Sequence, residues 1–277
     1  MDEKKKRERH VRTIELIKSF RLLDDIFMKV VLEGNIKGVQ DIIQVVLKRK
    51  DITVLEVKTQ KELDNLIGHG VRIDVLAKDT DGRYYNIEIQ RAESGAGEKR
   101  ARYNLGAMDW HNLPPGADYE DLPETWVIFI TESDIWEDSL PVYTVNRYIE
   151  ETGRKFEDKG HILYVNGAYE SDDEIGRLMA DFRQTDPKKM HYRSLGDRAQ
   201  YFKNTEGGTT FMSRIMEELV AEGRAEGRAE GRAEERKHLI DALLMCNSEE
   251  SLLHGSQFKG LNITRSEIDA SRRRLAV

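Results

Sequence analysis

Val71-Arg72-Ile73-Asp74-Val75-Leu76, a turn at Asp79-Thr80-Asp81-Gly82-Arg83, and then Asn86-Ile87-Glu88-Ile89-Gln90 decide how this chain is read. Val71, Ile73 and Val75 are β-branched and alternate with other residues, as in a strand, and the turn leads into a second strand ending at Gln90. A period of two puts Asn86, Glu88 and Gln90 on one face of that strand and Tyr85, Ile87 and Ile89 on the other. Asp74 is likewise set against its neighbours Ile73 and Val75. The loop decides whether the two acids meet. A two-residue loop at Asp81-Gly82 sets Asp74 across from Ile89. A three-residue loop, Thr80-Asp81-Gly82, with Gly82 left-handed in a G1 bulge, sets it across from Glu88. Directly opposed residues have Cβ atoms roughly 4.5–5.5 Å apart, close enough to share a cation. Without a cation two facing carboxylates repel. Isolated acids on a solvated strand face give the same spacing, and Gln90 is then an ordinary edge residue.

Outward from this hairpin the pattern alternates between helix and strand. Residues 14 to 49 read as helical, with stripes at Ile26, Phe27, Val30 and Val31 and, after the Gly34-Asn35 break, at Val39, Ile42, Ile43, Val46 and Leu47. Ile52, Val54 and Val57 begin the β region. Beyond the second strand, Ala92 to Gly97 reads as a loop. A helix follows from Glu98 to His111 and is stopped by Pro114-Pro115. Trp126 to Ile130 reads as a buried central strand, His161 to Val165 as another, and Glu174–Phe182 and Leu195–Phe202 as helices. This order predicts an α/β fold with a mixed sheet.

The tail reads differently. From Ala221 the tetrapeptide Ala-Glu-Gly-Arg occurs three times and is closed by Ala233-Glu234-Glu235-Arg236. Helix is the favoured local state, although Gly223, Gly227 and Gly231 each cost about 1 kcal/mol relative to Ala. In a helix the four-residue period sets Glu against Glu and Arg against Arg at i, i+4, a repulsion that a neighbouring chain could relieve. The boundary is expected at Glu206-Gly207-Gly208, giving a domain over residues 1–205 and a helical tail over 206–277 that acts as a tether or a homo-oligomer contact.

Composition excludes several classes. Apolar residues make up 39% and charged residues 34% of the 277, as in a globular chain with a wet surface. The notable apolar run, Trp126 to Ile130, is far short of the roughly 20 residues a membrane span needs, and no secretory pattern follows Lys4-Lys5-Lys6-Arg7. Cys246 is the single cysteine, which excludes an internal disulfide and fits a reducing compartment; the expected location is cytoplasmic, with no membrane partner. The net charge of −7 disfavours a general nucleic-acid binder, yet basic residues cluster at Lys4 to Arg12 and at Arg91, Lys99, Arg100 and Arg102. His69, His111 and His161 lack metal-ligand spacing, and there is no phosphate-binding glycine loop or Gly-x-Ser-x-Gly elbow.

Asp74 with Glu88-Ile89-Gln90 resembles the metal motif of PD-(D/E)XK nucleases, with Gln in place of Lys. Leu23 to Lys29, Asp74-Val75, Tyr85 to Arg91, Lys99 to Tyr103, Leu122 to Ile130 and Tyr164 to Tyr169 together resemble the bacterial recombination-promoting nuclease (Rpn) and transposase family, over residues 14 to 205. The resemblance implies a restriction-endonuclease-like core and a metal-dependent DNA endonuclease. Asp74 and Glu88 would hold Mg²⁺ or Mn²⁺, with the Ile89 carbonyl as a third oxygen, and DNA would be the partner. Asp24 and Asp25 match the acid that the first helix often adds to such a site, and both read equally well as helix N-cap residues. Ile73 stands where the class name has Pro, and Gln90 stands where most of the class has Lys. An amide can orient a water or a phosphate oxygen but brings no positive charge. Arg91 points to the other face. Lys99 and Arg102, at i, i+3 on the next helix, are the residues expected to return a cation, Arg102 ahead of Lys99 for its bidentate fork. The rival reading is an inactive nucleic-acid-binding or assembly protein that keeps the fold.

Overall fold

The computed structural model describes residues 3–63, 70–91, 93–246, 248–254 and 256–275. The chain divides into two units, Met1–Ser213 and Arg214–Val277.

In the first unit the hairpin is the organising element. Strand β2 (Val71–Asp79) buries alternate residues, whereas β3 (Tyr84–Gln90) is buried along almost its whole length, as befits a strand covered on both faces. β1 (Val54–Leu63) pairs antiparallel with β2, and β2 antiparallel with β3. β3 then pairs in parallel with β4 (Thr125–Thr131), and β4 in parallel with β6 (Gly160–Asn166). A short β5 (Val142–Val145) closes the edge antiparallel to β6, giving the mixed order β1-β2-β3-β4-β6-β5. The parallel step from β3 to β4 is made through α4 (Glu98–Asn112).

Alternation along β4 sorts the core. Val127 and Phe129 pack with Leu105 and Met108 of α4 and with Tyr164 of β6, the Phe129 and Tyr164 rings stacking at 5.2 Å. Ile128 and Ile130, equally buried, belong to the opposite face. Around the sheet lie α1 (Glu3–Ser19), α2 (Asp25–Leu32), α3 (Ile36–Leu47), α5 (Glu174–Arg183) and α6 (Arg193–Asn204), with α2 and α3 against β1. α3 starts where Asn35 Oδ1 accepts the Gly38 N–H at 3.0 Å, while Asn35 Nδ2 reaches the Ser194 carbonyl at 2.9 Å.

Three features depart from expectation. α1 begins at Glu3, well before residue 14, because Lys-, Arg- and Glu-rich sequence forms helix without an apolar stripe to announce it. β5 is a half-exposed edge strand of four residues after Pro141, too short to show a period. In the expected Ala92–Gly97 loop, whose first residue lies outside the described residues, Glu93–Ala96 form a 3₁₀ turn.

Glu206-Gly207-Gly208, where the boundary is expected, forms the first turn of the helix α7 (Glu206–Cys246), and the two units divide later, after Ser213. The first residues of α7 belong to the first unit, where Met212 is fully buried and Phe211 lies 5.8 Å from Phe202. The second unit carries a core of Ile240, Leu252, Ile263 and Ile268 from the end of α7, α8 (Glu249–His254), a 3₁₀ turn and α9 (Arg265–Leu275). Arg236 Nε to Glu267 at 2.6 Å and Arg274 to Asp241 at 2.6 Å brace it. Among the described residues no helix is long and apolar enough to cross a membrane.

Lys203 of α6 ties the helical layer together. It is 1% exposed, and its ammonium donates to the carbonyls of Lys18 (3.1 Å), Phe20 and Thr185 (2.6 Å), beneath the Phe27 ring. Burial pulls its pKa down to about 8, against the upward pull of Asp24 and Asp186. Between pH 8 and the ordinary lysine value the unfolded chain therefore holds a proton that the native chain has released, so this group makes stability rise with pH. Replacing Lys203 with Met should cost roughly 2–4 kcal/mol at pH 7, because three buried carbonyls lose their donor. The deficit should widen from pH 8 to pH 10, as read by urea denaturation of both proteins.

Candidate active site

The three-residue turn forms, and it brings the acids together. Asp79 and Arg83 close it with an N–H to carbonyl bond of 3.1 Å, and Gly82 takes φ +81°, a backbone that residues with a Cβ rarely adopt. The ladder then runs Lys78↔Tyr84, Ala77↔Tyr85, Leu76↔Asn86 and Val75↔Ile87, so the next step sets Asp74 across from Glu88. The regular ladder ends there. Asp74 Oδ2 accepts the Ile89 N–H at 3.2 Å, and Glu88 Oε1 takes the Asp74 N–H at 3.4 Å. Each acid thus uses its carboxylate where backbone pairing stops, and the two side chains are locked to each other's strand.

Two further groups complete the arrangement. Gln60 of β1 lies between Thr59↔Val75 and Lys61↔Ile73 and donates Nε2 to Asp74 Oδ1 at 3.3 Å. Its φ of +53° places a residue with a Cβ in the left-handed region, at a cost of about 1–2 kcal/mol. Arg100 of α4 donates Nη2 to Glu88 Oε2 at 2.9 Å and Nη1 to the Gly95 carbonyl at 3.0 Å. The Glu88 side chain is 0% exposed and the Arg100 side chain 42%, so the guanidinium bridges the buried acid and solvent. Asn86, on the same face as Glu88, is buried with neither amide atom in a well-formed hydrogen bond.

The electrostatics follow from this packing. Burial raises the Glu88 pKa first and the Asp74 charge second; Arg100, the Asp74 N–H and the Asn86 amide oppose them, leaving it at about 7. Asp74 is half-buried and also raised, by burial and then by the charge of Asp25, against the Ile89 N–H, Arg100 and Lys29. Two carboxylates driven upward by burial and like charge suit a hard divalent ion, which takes oxygen ligands and keeps several waters. Among the described residues no group of three or more His, Cys, Asp or Glu side chains is placed to hold a metal.

The other expected residues fall as follows. Asp24 holds the N-cap position of α2 without a side-chain cap bond; instead it accepts the Arg21 N–H at 2.7 Å and meets Arg91 at 2.8 Å. Asp25 sits in the first turn of α2, paired with Lys29 at 2.7 Å, and is the one whose charge bears on Asp74. Arg91 spans Asp24 and Glu132, away from Glu88. Gln90 lies against the turn before α4: a Cβ on Gly95 would come within 2.1 Å of Gln90 Oε1. Lys99 is exposed, and Arg102 lines a pocket with Leu63, Val71, Tyr103 and Trp110. Of the three cations on α4, the one that reaches Glu88 is Arg100, which lies between Lys99 and Arg102 in the chain. Ala101, Leu105 and Met108 fix the inward stripe of α4, and Arg100 and Arg102 flank Ala101 on opposite sides of it. His161 stacks on Trp126 and bonds Glu124 at 2.9 Å, His111 is exposed, and His69 is outside the described residues. Gln60 carried no sequence signal as a neighbour of the acids, because only the β1 register brings it there; the strand period already set Asn86 on the Glu88 face, and the sheet covering buries it.

The sequence model of the PD-(D/E)XK nuclease family transposase matches residues 25–168, and the chain belongs to that family. That span runs from Asp25 through the hairpin and β6 and contains both acids. Searches of curated proteins and of solved structures give no match.

Because Glu88 is raised, the native protein holds a proton between the ordinary glutamate value and about pH 7 that the unfolded chain has lost. Stability without divalent ions should therefore fall as pH rises through that window. Glu88→Gln should flatten this dependence and melt above wild type at pH 8, as read by thermal melts in chelator.

Proposed function

We propose that the chain is a Mg²⁺- or Mn²⁺-dependent DNA endonuclease of the Rpn type, serving recombination or derived from a transposase. The observation that carries this reading is the interlock of Asp74 and Glu88: two acids converging in a largely buried site at the point where the β2–β3 ladder ends. In this reading Asp74, Glu88 and the Ile89 carbonyl hold the ion. A bound ion supplies a water of lowered pKa and neutralises charge on the scissile phosphate. Asp25, through its field at Asp74, adds negative charge toward the same ion. Lys99 and Arg102, exposed on α4, would anchor neighbouring phosphates and set the register of the DNA. Arg91 would act less directly, since Asp24 and Glu132 already engage its guanidinium. Gln90 supports the turn whose Gly95 carbonyl accepts from Arg100. Supercoiled plasmid should be nicked with Mg²⁺ and left intact in chelator, and Asp74→Ala should lower the rate by more than about 100-fold. Equal nicking by wild type and Asp74→Ala would remove the reading and leave a binding or assembly protein.

The tail, residues 206–277, is proposed as a tether or assembly segment apart from cleavage. Every described side chain of the repeat from Ala221 to Arg236 is exposed except Arg236, which pairs with Glu267, and a helix polar on all faces needs a partner or stands in solvent. The Glu222, Glu226 and Glu230 side chains of the expected acidic row are outside the described residues. Because Met212 is buried in the first unit, the truncation that tests this stops after Ser213. It should keep nicking activity and lose mass by light scattering beyond that of the deleted residues. Loss of cleavage by a folded truncation of unchanged oligomeric state would defeat the proposal.

A further inference from the structure

All four carboxylate oxygens of the site have protein partners: Asp74 Oδ1 has Gln60, Asp74 Oδ2 the Ile89 N–H, Glu88 Oε1 the Asp74 N–H and Glu88 Oε2 Arg100. Three of these partners are neutral amides. Arg100 alone brings a full charge, and its bond is the shortest of the four, at 2.9 Å. It also stands on the longest and most exposed side chain, with 42% of its surface in solvent. A cation ligated by Glu88 would bring a second positive centre next to the guanidinium, which weakens this contact far more than it weakens the amides. The two backbone amides are held by the strands, and the Gln60 amide is neutral; the guanidinium is charged, has several rotatable bonds and has open water beside it.

We propose that Arg100 and the divalent ion exchange at Glu88. Arg100 neutralises Glu88 while the site lacks metal, withdraws from Oε2 when an ion takes that oxygen, and turns its freed guanidinium outward to a phosphodiester oxygen of the substrate. The proposal rests on the reading that Asp74 and Glu88 hold the ion. The Gly95 carbonyl supplies the pivot. Its bond to Nη1 is independent of Glu88, so it can keep Arg100 beside the site after Nη2 lets go. Gly95 in turn is positioned by Gln90, whose Oε1 occupies the space that any Cβ on residue 95 would need. The guanidinium presents five N–H donors, and among the described residues two of them are engaged here, so the fork retains donors for a phosphate.

The test is calorimetric titration of Mg²⁺ alone into the full chain, its Arg100→Gln variant and the charge-matched Lys99→Gln variant, with Glu88→Ala as the site control. Exchange predicts that Arg100→Gln binds Mg²⁺ roughly five- to tenfold tighter than wild type, the scale of one net hydrogen bond that need not be broken. Lys99→Gln, which removes equal charge one residue away, should change affinity less than twofold. Wild type should bind a short duplex more tightly on adding Ca²⁺, and Arg100→Gln should lose that gain. The Arg100 Nε–Hε resonance of wild type, assigned with Arg100→Lys, should shift on Mg²⁺ addition and stay fixed in Glu88→Ala. Mg²⁺ binding that disappears in Glu88→Ala but is equal in wild type and Arg100→Gln overturns the exchange and leaves the metal site standing. Mg²⁺ binding equal in wild type and Glu88→Ala overturns the metal site, and the exchange with it. Equal tightening by Arg100→Gln and Lys99→Gln reduces Arg100 to a nearby charge and also overturns the exchange.

Discussion

Two carboxylates that burial and mutual repulsion both disfavour are held side by side, and the rest of the first unit is arranged around that constraint. Neither acid is free to turn away. Glu88 is on a strand buried on both faces, and Asp74 is joined to it by reciprocal N–H to carboxylate bonds. Repulsion between buried like charges is stronger than in water because the surrounding medium screens it less. The structure opposes it with backbone amides on both acids and one guanidinium on Glu88. With both acids ionised the cluster has one positive charge against two negative ones, which leaves it short of a cation.

The sheet order makes this possible. β3 lies between an antiparallel neighbour that supplies Asp74 and a parallel neighbour that directs the chain through α4. A parallel connection needs a crossover, and α4 is that crossover. Its inward stripe, Ala101, Leu105 and Met108, is fixed by packing, so the position of Arg100 at the edge of the stripe follows from the core. The same residues that bury α4 thereby deliver a charge to Glu88. On the other side, α2 begins close enough for the Asp25 charge to reach Asp74, and its pairing with Lys29 moderates that field.

The hairpin, the central strands and the helices between Asp25 and Asn204 were legible in the sequence because their apolar periods are strong. The facing of Asp74 and Glu88 was legible only as a conditional, on a loop length that Gly82 resolves with its positive φ. What was not legible has a common cause. Gln60 reaches Asp74 because β1 takes a left-handed residue at that point, a local departure that no alternation pattern encodes. Arg100 rather than Arg102 faces the acids because of a rotation of α4 set by tertiary packing; three neighbouring cations on one helix look alike until the buried stripe is placed. β5 is visible only through its pairing with β6.

Gln90 gains its meaning from the same geometry. Read as a strand residue beside an acid, an amide there is a weak substitute for a charged group. In the fold it faces Gly95, whose missing Cβ gives it room, and Gly95 offers its carbonyl to Arg100. A longer or charged side chain at position 90 would compete for the space in which this turn sits, and a side chain at position 95 would collide with Gln90. The positive charge beside Glu88 is thus supplied by a helix and steadied by a turn, instead of being carried on the strand itself. A charge carried on a strand is fixed by the sheet, whereas one on a partly exposed arginine can move without disturbing the core. The residue at 90 and the residue at 100 are therefore one arrangement, and a change at either should be judged by what it does to the other.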